Sequence, residues 1–346
     1  MASTAITTND PVTKKAWEEK AFREVRKESY VSKFMGGTSD SLIFEQSKLT
    51  KEKGDKITFT IFPRADSPVI LGSSGLSLEG KEGTVEHFTD SVNLEEYKTG
   101  FRYEEGLTVQ RAFFSVSEEH AKALDVRTAE VIDNLWFDAI QASPSRIIYG
   151  GGQADLSTLT SAHKLSPALI RRCAALARAG FANGSNARTT YPFQPVKVGG
   201  KSYFVLLLHP YACYDLKNNS EYQGYLREAE KRGSDNPIFT GALAIIDNVV
   251  IHEHENIQIK KTVTGGKDVY YCTGVFLGAG SSIWAWGKRP TTVNKVFGYE
   301  ESTGIGRKFI AATKKTQFKY SSSDANPSDY GSAGVYVAIT NVASAE

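Results

Sequence analysis

Hydrophobic positions along this chain change period several times, and each change marks an element. From about Thr13 to Tyr30, Trp17, Ala21 and Val25 recur every fourth residue in a charged stretch, and Glu19 precedes Arg23 by four. This predicts a helix with a narrow apolar stripe, marginal alone and therefore laid along another surface, ending at Gly36-Gly37. Residues 56–62, KITFTIF, alternate, with Ile57, Phe59 and Ile61 on one face; residues 97–103 alternate too, with Tyr97, Thr99, Phe101 and Tyr103 together. Both are expected to be half-buried strands. The stretch between them exceeds thirty residues, rich in Gly, Ser and Glu. Connections that long usually carry function. It reads either as a hairpin-like arm leaving the body or as a disordered insertion; Val69-Ile70-Leu71 and the Leu76/Leu78 pair give an arm apolar groups to bury.

Ser115-x-x-Glu118 fits a capping box, and Ala121, Leu124, Thr128, Val131 and Leu135 follow at spacings of three and four. The pattern predicts one helix from Ser115 to about Ala142, stopped by Ser143-Pro144 and about 40 Å long. A second helix is expected from Ser166-Pro167, with Leu169, Ile170, Cys173, Leu176 and Ala177 inward and Gly180 in a left-handed C-terminal position. From about Pro195 the pattern is mixed. Tyr203–Leu208 is a strand apolar on both faces, Asp215 to Arg232 holds one or two helical segments, and Ala242–Ile251, Tyr270–Leu277 and Ile283–Trp286 are strand candidates. Lys308–Tyr320 and Gly334–Thr340 read as closing strands around a Ser/Asp/Pro-rich turn. The fold class is α+β.

Composition narrows the function. The 346 residues carry a formal charge of +2, which argues against a dedicated nucleic-acid binder. Cys173, Cys213 and Cys272 are widely spaced and odd in number, so buried reduced thiols and a reducing compartment are expected. The start lacks a signal-peptide pattern, and the longest apolar run, Phe204–Leu208, is far short of a membrane span, so no membrane partner is expected.

Catalytic signatures fail on inspection. Gly199-Gly200-Lys201-Ser202 has Pro195 where a phosphate loop needs glycine, and it precedes a strand, so it reads as a hairpin turn. His252 and His254 stand two apart after an extended run rather than four apart on a helix, and read as polar residues at a strand end. Gly278-Ala279-Gly280-Ser281 and Gly304-Ile305-Gly306-Arg307 lack the rest of a dinucleotide fingerprint. No catalytic residue, cofactor or metal ligand is assigned.

Charge is uneven. Lys288, Arg289, Lys295, Arg307, Lys308, Lys314, Lys315 and Lys319 outweigh Glu300 and Glu301. The long connection is acidic: Glu79, Glu82, Glu86, Asp90, Glu95 and Glu96 against Arg64, Lys81 and Lys98. Attraction between neighbouring copies and ordinary solvated charge both account for this.

Two stretches carry a specific resemblance: YFVLLLHPYACYDL at Tyr203–Leu216 and GSDNPIFTGALAIIDNVVIHEHEN at Gly233–Asn256. A strand ending in His-Pro, a helix, then Asn-Pro-Ile-Phe-Thr-Gly-Ala and a strand ending in Ile-His-Glu is similar to the major capsid proteins of N-four-like podophages and their prophage relatives. The family pattern has glycine where Ala244 and Asn248 stand; asparagine tolerates positive φ, so a turn at Asn248 survives. The resemblance implies the tailed-phage major capsid fold shared with encapsulins. Its parts would be an N-terminal arm (1–50), an extended loop with flanking strands (51–112), a peripheral domain with the long spine helix (113–194), an axial domain (195–300) and return strands (301–346).

The implied function is assembly of hexamers and pentamers into an icosahedral shell around non-specifically bound double-stranded DNA. Portal, scaffolding or decoration proteins would be further partners, and the virion the final location. Trp17, Arg23, Arg64, Glu79, Glu82 and Glu86 are then candidate subunit-interface residues. Arg307, Lys308, Lys314, Lys315 and Lys319 are candidates for an inward-facing basic segment. An encapsulin-like compartment, or an α/β enzyme with an unrecognised site, remains the alternative.

Overall fold

A computed structural model describes residues 29–38, 40–47, 54, 56–61, 79–80, 82, 87–106, 109–110, 115–180, 192–223, 242–318 and 327–340. The chain divides into two compact units. The smaller contains Lys98–Glu130 and Pro290–Lys308; the larger contains Ser29–Tyr97, Val131–Arg289 and the chain from Phe309 onward. In order, the elements are β1 (Met35–Gly36), β2 (Ile43–Gln46), β3 (Lys56–Ile61), β4 (Phe88–Asn93), β5 (Glu95–Glu104), α1 (Val116–Gln141), β6 (Ile147–Tyr149), α2 (Pro167–Ala179), β7 (Val196–Val198), β8 (Lys201–Leu208) and α3 (Pro210–Lys217). There follow β9 (Ala242–Ile246), β10 (Val249–Glu253), β11 (Ile259–Thr264), β12 (Lys267–Leu277), β13 (Ser282–Phe297), β14 (Ser302–Lys315), β15 (Gln317–Phe318), β16 (Ser328–Asp329) and β17 (Ser332–Ala338).

The larger unit is organised on β8. Its Phe204–Leu208 run is buried because both strand edges and both faces are covered. β10 pairs parallel to it, Val249 opposite Phe204 and Glu253 opposite Leu208, while β12 pairs antiparallel on the other side. The sheet runs β6-β17-β12-β8-β10-β9, and off this path β11 pairs with β12 and β7 with β8. A strand apolar at every position is the mark of such a central place. Gly199 and Gly200, at φ +56 and +78, make the β7–β8 hairpin turn expected from sequence.

The stretch Ala242–Ile251 is two strands, parted at the turn that the family resemblance implied at Asn248: Asp247 and Asn248 at φ +47 and +62 turn β9 back antiparallel onto β10. Asx residues adopt this conformation at low cost, which leaves the apolar run unbroken to the eye. Of the one or two helical segments expected over Asp215–Arg232, the first is the end of α3, which begins earlier, at Pro210, where the His209 ring Nδ1 accepts the Tyr211 N–H at 3.2 Å; residues 220–223 are helical again, and 224–232 lie outside the described residues. Ser166 caps α2 as expected, accepting from the Leu169 N–H at 3.3 Å. Gly180 closes it at φ +89 and ψ +153, a glycine conformation outside the left-handed helical region.

Helix α1 matches the expected span, but its buried face drifts from the sequence stripe. Leu124 and Thr128 are buried, then Ile132, Trp136, Phe137 and Ile140, whereas Val131 and Leu135 are only half-buried. The large rings of Trp136 and Phe137 take the deepest positions, and the side of the stripe follows them. Strands were also longer or more numerous than the pattern showed. Ile283–Trp286 is the start of the sixteen-residue β13, and β6 and β11 had no clear alternation. A second, five-stranded sheet runs in the order β1-β2-β13-β14-β5.

All three cysteines are free and buried. Burial pushes the thiols of Cys173, Cys213 and Cys272 up to about 12. Between pH 9 and 12 the unfolded chain therefore releases thiol protons that the folded chain keeps, so stability falls as pH rises. Each thiol contributes roughly 1.4 kcal/mol per pH unit in that window. Lys33 opposes them, because burial lowers it to about 8 and its cost fades above that. The urea midpoint is expected to drop between pH 8 and pH 10, and Ellman's reagent to label the cysteines only in the denatured chain. A rising midpoint, or rapid native labelling, would contradict the packing described.

Candidate assembly surfaces

The long connection is a hairpin at its base. β3 and β4 pair antiparallel from Lys56 opposite Asn93 to Ile61 opposite Phe88. The return strand is thus β4, not 97–103 as the alternation suggested; β5 instead pairs with β14. β4 reads FTDSVN, and its polar residues conceal it.

The hairpin base is anchored within its own chain. Ile57 and Val92 pack with Ala285, Ala312 and Leu94. Phe59 meets Phe318 edge-on at 6.5 Å. Lys314 reaches β4, with Nζ 2.5 Å from the Asp90 carboxylate and 3.5 Å from the Ser91 carbonyl. The acid–base attraction expected between copies is therefore met, at this pair, inside one molecule. In the sequence between these strands, Glu79 and Gly80 form a turn, and Glu79 and Glu82 are exposed. Arg64 and Glu86 lie outside the described residues, as do Trp17, Arg23 and most of the helix expected from about Thr13 to Tyr30, whose last positions, Ser29 and Tyr30, are not helical.

The basic segment divides by burial. In the smaller unit Arg307 is ion-paired with Asp125 and donates to the Thr292 hydroxyl at 3.2 Å. Lys308 is half-buried, and its carbonyl accepts from Thr291 at 3.4 Å. In the larger unit Lys315 is 7% exposed and clamped between Asp329, at 3.0 Å, and the Ser143 carbonyl, at 2.7 Å. Asp329, 1% exposed, also accepts from the Ser145 N–H and the Gln317 amide at 2.7 and 2.8 Å. Lys315 is thus a structural lysine. Lys319 lies outside the described residues.

Two surfaces carried no clear sequence signal. In the smaller unit, Val293 and Val296 on the outer part of β13 are about half exposed, and Tyr299 at the β13–β14 turn is fully exposed. Tyr299 and Glu300 there adopt φ of +50 and +70, a conformation non-glycine residues rarely take. Within the same unit Arg102 braces the turn, stacking 4.7 Å from the Phe297 ring centre and donating to Ser302 at 2.6 and 2.9 Å.

The second surface is the segment entering the larger unit at Ser29. A 3₁₀ turn, Val31–Phe34, is bound by the Asp133 carboxylate, which accepts from the Ser29 hydroxyl and from the Tyr30 and Val31 N–H groups at 3.0 and 3.1 Å. Its aromatic rings lie against His252 and His254. Those two histidines, noted for their spacing, meet aromatic rings here. Among the described residues no His/Cys/Asp/Glu group has the arrangement of a metal site.

These features gain meaning from comparison with known proteins. Residues 144–341, more than half of the chain, match a family model described as phage capsid protein. The major capsid protein of Pseudomonas phage KPP25 is 26% identical, over 94% of this chain and 95% of that one. Among solved structures, the capsid of Ralstonia phage GP4 superposes with a TM-score of 0.84 at 22% identity, covering 99% of both chains. The cyanophage Pam1 capsid asymmetric unit gives 0.76 at 18% identity over 99% of this chain and all of the other. The head of Helicobacter pylori bacteriophage KHP40 gives 0.75 at 14% over 96% of each. The expected tailed-phage capsid fold is therefore the one observed, and the chain belongs to the phage capsid protein family.

Proposed function

We propose that this chain is the major capsid protein of a tailed phage. Its copies assemble as hexamers and pentamers into an icosahedral shell that encloses double-stranded DNA. The observation that carries this reading is end-to-end correspondence with a capsid chain, 99% of each chain being covered. The anchored β3–β4 base supports it as well. A hairpin whose root is fixed by Ile57, Val92 and the Asp90–Lys314 pair can present Glu79 and Glu82 to a neighbouring copy in a defined direction. Subunits that reach onto neighbours bury large interfaces, as obligate assemblies do.

The division into arm, loop, peripheral, axial and return segments belongs to the same proposal. So do the interface roles of Trp17, Arg23, Arg64, Glu79, Glu82 and Glu86. Portal, scaffolding or decoration proteins would join the shell, which forms in the host cytoplasm and ends in the virion. The basic segment Arg307–Lys319 faces the interior in this reading, the half-buried Lys308 included.

Electron microscopy of the expressed chain tests the proposal. Closed shells or capsomer rings are expected, and a population of monomers and small oligomers under all assembly conditions would overturn it. Treating full particles with an impermeant amine reagent tests the orientation. Lys308 should be protected in particles and labelled after disassembly; labelling in intact particles would reverse the assignment. Lys315 should resist in both states because it is buried.

A further inference from the structure

The end of the β13–β14 hairpin, in the smaller unit, carries more apolar surface than a hairpin in water needs. Val293 and Val296 are about half exposed and Tyr299 is fully exposed. The two valines stand three apart on a strand, so they lie on opposite faces and the ribbon is apolar on both sides. Single exposed apolar groups are ordinary. Three within seven residues at one hairpin end form a patch of the kind that meets a partner.

The turn holds Tyr299 outward against a conformational preference. Gly298, Tyr299 and Glu300 take φ of +57, +50 and +70 in succession. Glycine or asparagine would sit at the last two positions more easily. A tyrosine left in water gains nothing within its own chain to offset that strain, which points to a contact outside it. The hairpin end is also held in shape. Arg102 stacks on Phe297 at 4.7 Å and donates to the Ser302 hydroxyl, and the Glu105 N–H donates to the Glu301 carbonyl at 2.9 Å. A surface already ordered loses little freedom on binding.

We propose that this hairpin end packs against the same hairpin end of a second copy, with Tyr299 at the centre of the contact. Charge selects that occupant. Lys295 is exposed, its ammonium 5.0 Å from the Phe297 ring centre, and Glu300 is exposed on the turn. Among the described residues neither has an ion-pair partner. Both signs therefore lie on one patch, and two copies turned face to face bring Lys295 of one to Glu300 of the other. A partner of a single sign would attract one of these charges and repel the other. Three side chains cover less than a stable dimer requires, so the contact closes only where other surfaces already hold the copies together. It thus rests on the shell-forming role proposed above.

Tyr299→Cys reads the contact without background, because the three natural cysteines are buried. In the unassembled chain the introduced thiol should react freely with a maleimide. In shells it should react about tenfold more slowly, and mild oxidation should join copies in pairs. Equal reactivity in shells and in the unassembled chain would overturn the inference. So would protection without pairing, because a different surface would then cover the hairpin end. If that variant does not assemble, Lys295→Glu and Glu300→Lys decide. Each should lower the urea concentration at which particles come apart, and the double reversal should restore it; a double variant no firmer than either single one would overturn the inference. Failure of the natural chain to form shells would bring down the shell-forming role and this contact together, whereas shells with reactive hairpin ends would bring down the contact alone.

Discussion

Asp329→Ala is expected to destabilise the chain by about 3–5 kcal/mol, because it strands a buried ammonium. Lys315 and Asp329 are both nearly inaccessible, and the carboxylate holds Lys315, Ser145 and Gln317 together. Removing the acid leaves the Lys315 charge with the Ser143 carbonyl, a neutral acceptor, and frees a backbone N–H at Ser145. The pair itself need not be stabilising, since the cost of drying two charges roughly cancels their attraction. Lys315→Met combined with Asp329→Leu should therefore recover most of the loss. Equilibrium urea unfolding of the unassembled chain measures both. A single substitution costing under 1 kcal/mol would mean that Lys315 escapes to solvent and the site is not closed.

Trp136→Ala should cost a similar amount, about 3–5 kcal/mol, for a different reason. Trp136 is fully buried, packs edge-on against Phe137 at 5.0 Å, and donates its indole N–H to the Ser282 hydroxyl at 2.9 Å. It ties α1 to the start of β13 by packing and by one polar contact. Truncation opens a cavity among ring neighbours that cannot collapse into it, and leaves Ser282, itself buried, without this donor. Trp136→Phe separates the two contributions. It keeps most of the volume and loses the hydrogen bond, so about 1–2 kcal/mol is expected. Equal losses in the two variants would assign the effect to the hydrogen bond rather than to packing. Thermal unfolding of both proteins on one preparation decides.

Charge pattern was the least reliable guide to the candidate surfaces. Lys314 and Lys315 are adjacent in sequence and looked equivalent, yet one reaches the hairpin and the other is buried on Asp329. Strand alternation puts neighbouring side chains on opposite faces, and sequence does not say what each face meets. The carboxylate that holds residues 29–34 comes from Asp133, about a hundred positions away, inside a helix where an acid usually marks a solvated face. His252 reads in the sequence as a polar residue at a strand end, and nothing local shows that its ring is buried against Phe34.

What the sequence determined by itself is whatever local chemistry controls. The Ser166-Pro167 cap, the glycine turn at Gly199-Gly200, the continuous apolar run of β8 and the span of α1 are short-range matters of backbone preference and period, and they are visible in consecutive residues. The His-Pro motif also drew its specificity from neighbouring positions. Only the tertiary structure decided which strand closes the hairpin, which face of α1 goes deepest and which charges are paired. Those outcomes depend on partners tens to hundreds of residues away, whose bulk and desolvation outweigh the few tenths of a kcal/mol that local propensity supplies.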